Sequence, residues 1–277
     1  MIRQQDRYAV FGHPVGHSLS PRIHGWFAQQ TGEAVAYEAI EAPLDGFKAA
    51  VLAFFAAGGR GANVTVPFKG EACAMADYLE PAAERAGAAN TLRLEDDGRI
   101  SAFNTDGIGL IRDLQGRLAC RLEGATVVML GAGGAAAGVI EPLLASAVAR
   151  LVIGNRSHAR ALQLADRFEA LGPIEARAMG ELPPADVLIN ATAASLAGIV
   201  PELAPGLVTS RTLAYDMVYA ARPTAFLLRC AELGAAQTVD GLGMLVEQAA
   251  EAFRLWRGVL PATAPVFAGL RPSPNVE

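Results

Sequence analysis

The stretch TVVMLGAGGAAAGVI, starting at Thr126, leaves the chain few ways to fold. Its first five residues read as a strand buried on both faces, GAGGAA at 131 to 136 fits the pattern G-x-G-x-x-A, and an alanine-rich helical run follows. A strand, a glycine turn and a helix in that order open a parallel βαβ unit. The glycines permit a tight turn and close backbone approach. The helix N-terminus offers unpaired N–H groups and a positive dipole end to a pyrophosphate. Gly131, Ala132, Gly133, Gly134 and Ala135 are therefore candidate dinucleotide contacts. The alternative is a turn that merely packs the helix on the strand.

The following strand bears on which dinucleotide. An NAD site usually places an acid at its end to hold the ribose hydroxyls. Here RLVIGN closes on Asn155, Arg156 and Ser157, with Arg160 one turn on. Arginine pairs with phosphate bidentately and an acid would repel it, so this end suits the 2'-phosphate of NADP. Ordinary solvated arginines are the competing reading.

The same rhythm runs through the rest of the chain. RYAVFG, AYEAI and GANVTV read as strands, with helical IHGWFAQQ and FKAAVLAFFAA between them. TVVMLG, RLVIGN, DVLINAT and TLAYDMV form a second series, and a final helical run from Leu242 through Trp256 can return to the first. These runs predict two α/β domains, each built on a mostly parallel sheet: residues 1–103 plus 241–277, and residues 104–240. At 277 residues with 52% hydrophobic and 18% charged side chains, the chain can bury a core of that size. A net charge of −5 provides no broad basic surface for nucleic acid or an anionic membrane. Three cysteines without metal-ligand spacing suit a reduced cytoplasmic protein, and no metal site is expected. No apolar run reaches membrane-spanning length.

The chemistry is expected around an unusual lysine. Lys48 and Lys69 are the only lysines among the 23 basic residues, and Lys69 closes NVTVPFK directly after a predicted strand. Unlike arginine, a lysine amine can lose its proton when desolvated and so serve in acid/base work. Asn63 and Thr65 put an amide and a hydroxyl beside it, as a hydroxylated substrate would require. AGAANT contributes Asn90, and FNTDG places Asp106 at the junction between the domains, where a cleft forms. Asp106 reads equally as a helix cap. In HSLSP, Ser20 is expected to cap a helix whose first turn holds Pro21, while Ser18 and Ser20 together could hold a carboxylate at the helix N-terminus. YDMVY and DGLGMLVEQA add a strand end, a glycine pair and Gln248 on a helix.

In order along the chain, VFGHPVGHSLSP, NVTVPFK, AGAANT, NTDG, GAGGAA, NRS, NAT, YDMVY and DGLGMLVEQA resemble the shikimate dehydrogenase family over nearly the whole length. The resemblance implies an N-terminal substrate-binding domain and a Rossmann-type dinucleotide-binding domain around a cleft. It also implies NADPH-dependent reduction of 3-dehydroshikimate to shikimate, on the route to chorismate and the aromatic amino acids, by a monomer or homodimer. By matching position, Lys69 and Asp106 are the catalytic pair, with the identity of the proton donor left open. Ser18, Ser20, Asn63, Thr65, Asn90, Tyr219 and Gln248 surround the substrate, and Thr192, Met217 and Gly241 join the cofactor residues. Departures from the pattern are His13, Phe103, NATAASLAG in place of NATSxGM, and Pro223 before Thr224 rather than after a threonine. A broader quinate/shikimate dehydrogenase using NAD and a silent NADPH-binding regulator are the alternatives; the first is disfavoured by Arg156, the second by the presence of both Lys69 and Asp106.

Overall fold

A computed structural model describes residues 5–271; the ends of the expected first domain, residues 1–4 and 272–277, lie outside the described residues. Among the described residues the apolar runs assemble into two six-stranded sheets. The chain divides into two units, one running to Gly109 and resuming at Val246, the other spanning Leu110–Leu245.

The first unit contains β1 (Asp6–Gly12), α1 (Ser20–Thr31), β2 (Val35–Glu41), α2 (Phe47–Ala56), β3 (Gly59–Val64), α3 (Lys69–Met75), β4 (Tyr78–Leu79), α4 (Pro81–Ala86), β5 (Thr91–Leu94) and β6 (Ile100–Phe103). Its sheet has the order β2-β1-β3-β5-β6-β4. β1 pairs parallel with β2 and β3, as the alternating pattern implies, but β5 runs antiparallel to both β3 and β6. The sheet is mostly parallel, as expected, with β5 alone running against the other five strands. The cause is local: only residues 95–99 join β5 to β6, and Gly98 turns the chain at a φ of +85°. Parallel strands need a much longer crossover. The core is aromatic, with Phe11 edge-on to Phe47 and Phe47 stacked on Phe68 at 4.7 Å. Phe68 is fully buried, which contributes about 1.5–3 kcal/mol and anchors the turn that presents Lys69.

After α5 (Asp106–Ile111) and one π-helical turn (Arg112–Arg117), the second unit continues through β7 (Thr126–Leu130), α6 (Gly134–Ala145), β8 (Arg150–Gly154), α7 (His158–Phe168), β9 (Ile174–Arg177), β10 (Val187–Asn190), β11 (Leu213–Asp216), α8 (Ala225–Glu232) and β12 (Gln237–Asp240). Every strand pairing in this sheet is parallel, in the order β12-β11-β10-β7-β8-β9. That is the doubly wound Rossmann order, and the direction of travel across the sheet reverses between β7 and β10. Val127, Val128, Met129 and Leu130 are wholly buried, as expected of a central parallel strand. The short outer strands β9 and β12 escape the sequence pattern because most of their side chains are only partly buried or exposed, which removes the apolar run that marks inner strands. α9 (Leu242–Arg257) begins in the second unit and from Val246 onward belongs to the first, followed by α10 (Ala264–Leu270). No helix among the described residues is long and apolar enough to cross a membrane.

Candidate active site

Lys69 is the first residue of α3, and its backbone carbonyl is fixed by the Ala89 N–H at 2.9 Å. Its ammonium meets Oδ2 of Asp106 at the start of α5; the Lys69 side chain is 17% exposed and that of Asp106 only 7%. Oδ1 of Asp106 accepts from the Asn90 amide at 2.8 Å, so donors engage both carboxylate oxygens. The Asn90 Nδ2 group also faces Thr105 Oγ1 at 3.0 Å and Gln248 Oε1 at 3.2 Å. Asn63 donates to Thr91 Oγ1 at 3.1 Å, and Thr91 in turn donates to Asn90 Oδ1 at 3.0 Å. The structure thus gathers Asn63, Asn90, Asp106, Lys69 and Gln248 into one network. Asn63, Asn90, Asp106 and Gln248 are buried, where an unpaired polar group would cost about 1–3 kcal/mol.

Thr65 follows β3, its N–H bonded to the Phe11 carbonyl at 2.9 Å and its own carbonyl to the Phe68 N–H at 3.0 Å. The helix entry at HSLSP differs from expectation. Leu19 occupies the cap position of α1 without a side-chain cap bond, and Ser20 lies in the helix itself. Ser18 accepts the Ser20 N–H at 3.2 Å, so the serine that turns toward the backbone is the earlier one. Thr91, which ends AGAANT, and Thr105, inside NTDG, extend the network further. Within those motifs neither is assigned a site role, because threonine at or beside a strand is an ordinary β-former.

In the second unit the glycine turn lies at the C-terminal end of β7, beside the residues that follow β10. Gly131 adopts φ +116°, and a Cβ there would fall 3.1 Å from both the Ala191 carbonyl carbon and Thr192 Cγ2. Only glycine suits that backbone and that approach. Gly133 caps the N-terminus of α6, and Gly133 and Gly134 are exposed, leaving the first N–H groups of a 12-residue helix open to an anion. At the end of β8, the Asn155 amide holds the Ser157 carbonyl at 2.9 Å, while Arg156, Ser157 and Arg160 are exposed. A Cβ on Gly241 would lie 2.3 Å from the Met217 carbonyl oxygen, so those two chain segments touch through backbone alone. Tyr219 also belongs to the second unit and is partly buried.

The altered run after Asn190 is well braced. Thr192 caps a 3-10 turn over Ala193–Ala197, accepting from the Ala194 N–H at 3.3 Å. Ser195 donates to Asp216 Oδ2 at 2.6 Å, and Thr224 donates to the same oxygen at 2.6 Å. Asn190 reaches Asp216 Oδ1 at 3.2 Å. Burial pushes the Asp216 carboxyl up, against the pull of these hydroxyls and of the Val218 N–H and the Asn190 amide. Thr224 also caps α8, accepting from the Leu227 N–H at 3.3 Å, which accounts for a threonine after Pro223. Sequence reasoning misses Asp216 as a site-shaping group, since an acid at a strand end carries no distinguishing signal. Among the described residues no cluster of three or more metal-ligating side chains occurs.

Residues 10–92 match the family described as shikimate dehydrogenase substrate binding domain, 113–218 match shikimate / quinate 5-dehydrogenase, and 241–266 match the shikimate 5'-dehydrogenase C-terminal domain. A shikimate dehydrogenase (NADP(+)) of Thioalkalivibrio sulfidiphilus is 55% identical over 96% of this chain and 98% of its own length. The chain belongs to the shikimate dehydrogenase family. Among solved members of similar fold, shikimate 5-dehydrogenase from Thermus thermophilus, determined with NADP(H) and shikimate, superposes with a TM-score of 0.86 at 35% identity, covering 96% of this chain and 99% of that one. An Ael1 enzyme from Pseudomonas putida superposes with a TM-score of 0.89 at 44% identity, covering 96% and 98% of the two chains. The two α/β domains of this shikimate dehydrogenase family member thus carry the substrate-binding and dinucleotide-binding roles that the family divides between them.

Proposed function

We infer that this protein catalyses the reversible, NADP(H)-dependent reduction of 3-dehydroshikimate to shikimate. The observation that carries the reading is the partly buried Lys69–Asp106 pair locked by Asn90. Relatives named shikimate dehydrogenase (NADP(+)) and the Thermus thermophilus structure with NADP(H) and shikimate support the substrate and cofactor.

The second unit fits NADP(H). Its glycine turn and the open N-terminus of α6 suit the pyrophosphate, and Arg156, Ser157 and Arg160 suit the 2'-phosphate, with Asn155 shaping their turn. Thr192, Met217 and Gly241 line the remaining contact through the neighbouring strand ends. The bound dinucleotide supplies the hydride that reduces the ketone carbon. Lys69 and Asp106 handle the proton. Both oxygens of Asp106 face donors, so the Lys69 ammonium is the member with a proton to give to the developing alkoxide, and Asp106 orients it. Ser18 and Ser20 offer hydroxyls to the substrate carboxylate. Asn63, Thr65, Asn90, Tyr219 and Gln248 offer groups to its hydroxyls.

Initial rates with shikimate and quinate, each with NADP+ and NAD+, test the reading. Shikimate with NADP+ is expected to give the highest kcat/KM by a wide margin. Quinate with NAD+ exceeding it would contradict the assignment and favour the broader quinate-oxidising alternative.

A further inference from the structure

We propose that Tyr37 and Thr91 are positioning residues that fix the direction of a hydrogen-bond relay, making Asn63 an acceptor that selects a substrate hydroxyl. The proposal rests on the shikimate reading above and goes further by naming what one end of that site recognises.

The relay begins at the Tyr37 hydroxyl, which donates to Asn63 Oδ1 at 2.7 Å. Asn63 Nδ2 donates to Thr91 Oγ1 at 3.1 Å, Thr91 donates to Asn90 Oδ1 at 3.0 Å, and Asn90 Nδ2 donates to Asp106 Oδ1 at 2.8 Å. Lys69 closes the chain on the other oxygen of Asp106. Every donor between Tyr37 and Asp106 points the same way. Backbone groups enforce that polarity. The Asn90 carbonyl, which can only accept, lies 3.2 Å from Asn63 Nδ2, so the amide nitrogen of Asn63 must face it. The Thr105 N–H, which can only donate, lies 2.8 Å from Asn90 Oδ1, so that oxygen must face Thr105. Neither amide can flip without losing a backbone bond.

Both N–H bonds of Asn63 are consequently used inside the protein. Oδ1 accepts from the Tyr37 hydroxyl, and although buried His24 lies close enough to feel the pull of the Asn63 side chain, neither of its ring nitrogens makes a hydrogen bond, which leaves one lone pair on that oxygen. What Asn63 can offer a ligand is an acceptor, so the complementary group is an alcohol O–H. A group without a proton to donate would face that oxygen unpaired, and a site built around a hydroxyl discriminates strongly against analogues that lack one.

Tyr37 is itself held for this task. His24, buried in α1, stacks on its ring at 4.2 Å with 5° between the planes, and Trp256 lies 6.3 Å away on a tilt. Burial lowers the His24 pKa to about 3, so no imidazolium charge sits on the phenol. Burial also raises the Tyr37 phenol well above its ordinary range, outweighing the pull of the Ser20 hydroxyl, and keeps the O–H a donor. Thr91 is wholly buried and ties the Asn63 amide to that of Asn90.

The test uses the full-length protein and shikimate oxidation by NADP+, with Tyr37→Phe, Asn63→Ala, their double variant, Thr91→Val and Thr91→Ser. Removing the phenol hydroxyl is expected to raise the KM for shikimate about tenfold, more than it lowers kcat, and to leave the KM for NADP+ where it was. In the Asn63→Ala background the same change should add less than about twofold, because Tyr37 acts through that amide. Thr91→Val should reproduce the shikimate defect and Thr91→Ser should restore it, with thermal melts confirming that each variant is folded. An analogue of shikimate lacking one ring hydroxyl should lose its disadvantage relative to shikimate in Tyr37→Phe. Fully additive effects of Tyr37→Phe and Asn63→Ala, or wild-type shikimate kinetics in both Tyr37→Phe and Thr91→Val, would overturn the relay. Failure of the wild-type protein to oxidise shikimate at all would instead overturn the functional reading beneath it.

Discussion

Around Lys69 the polar side chains are already bonded to one another, whereas in the second unit the groups suited to a dinucleotide are exposed arginines and the open end of a helix. The first arrangement is a side-chain network whose geometry exists before any ligand arrives, which is how an enzyme holds donors where charge will develop. The second relies on backbone amides and long flexible cations that a phosphate can organise on binding. Damage to the two regions should therefore look different: the first in turnover and substrate recognition, the second in cofactor affinity.

The largest effect is expected at the network. Asp106→Asn keeps the size of the side chain but removes the charge that orients Lys69, and kcat/KM for shikimate should fall about 10²–10⁴-fold, read by steady-state kinetics. A change confined to the KM for NADP+ would break the contrast between the units. Arg156→Ala should raise the KM for NADP+ about 10–100-fold, the worth of a charge-assisted bond, while leaving that for NAD+ nearly untouched. Equal loss for both cofactors would show that Arg156 does not read the 2'-phosphate.

Stability sharpens the same comparison. The His24 pKa is about 3 in the folded protein against an ordinary 6.5, so below pH 6.5 the unfolded chain takes up a proton that the folded one refuses. Stability is therefore complete above pH 6.5 and declines as pH falls toward 3, with about 2 kcal/mol lost by pH 5 from this group alone. Urea unfolding at pH 7 and pH 5 should show that loss, and His24→Gln should remove most of the His24 contribution. On the cofactor side, Ser195→Ala deletes one donor to the buried Asp216 and should cost about 1 kcal/mol in a chemical-denaturation experiment, with a modest rise in the KM for NADP+. A larger effect on shikimate than on NADP+ would assign Ser195 to the wrong region.

Much of the fold is legible in the sequence because its signals are local. The buried strand before Gly131 and the glycine turn itself announce a Rossmann unit, and Lys69 and Asp106 stand in short motifs flanking strand and helix ends. The antiparallel β5–β6 pair is less visible. Its strands are four residues each, and the turn at Gly98 competes with the longer α/β rhythm on either side. Tyr37 is hidden for another reason. A tyrosine in the middle of β2 has every reason to be there as a β-former, and only the contact with Asn63, 26 residues away, gives its hydroxyl a purpose. Asp216 at the end of β11 and Ser195 in the 3-10 turn are likewise brought together, a pairing that sequence spacing does not encode. The serine expected to cap α1 shows the same limit on a smaller scale, since one residue of slippage moves the cap to Leu19.

The most direct test of the account is Lys69→Ala, measured for shikimate affinity by calorimetry and for turnover with NADP+ in parallel. With the Asn63–Thr91–Asn90 network intact, the dissociation constant should rise only a few-fold while kcat falls about a thousandfold or more, which places the lysine in the transition state. Turnover that survives the substitution would contradict the central role assigned to the Lys69–Asp106 pair.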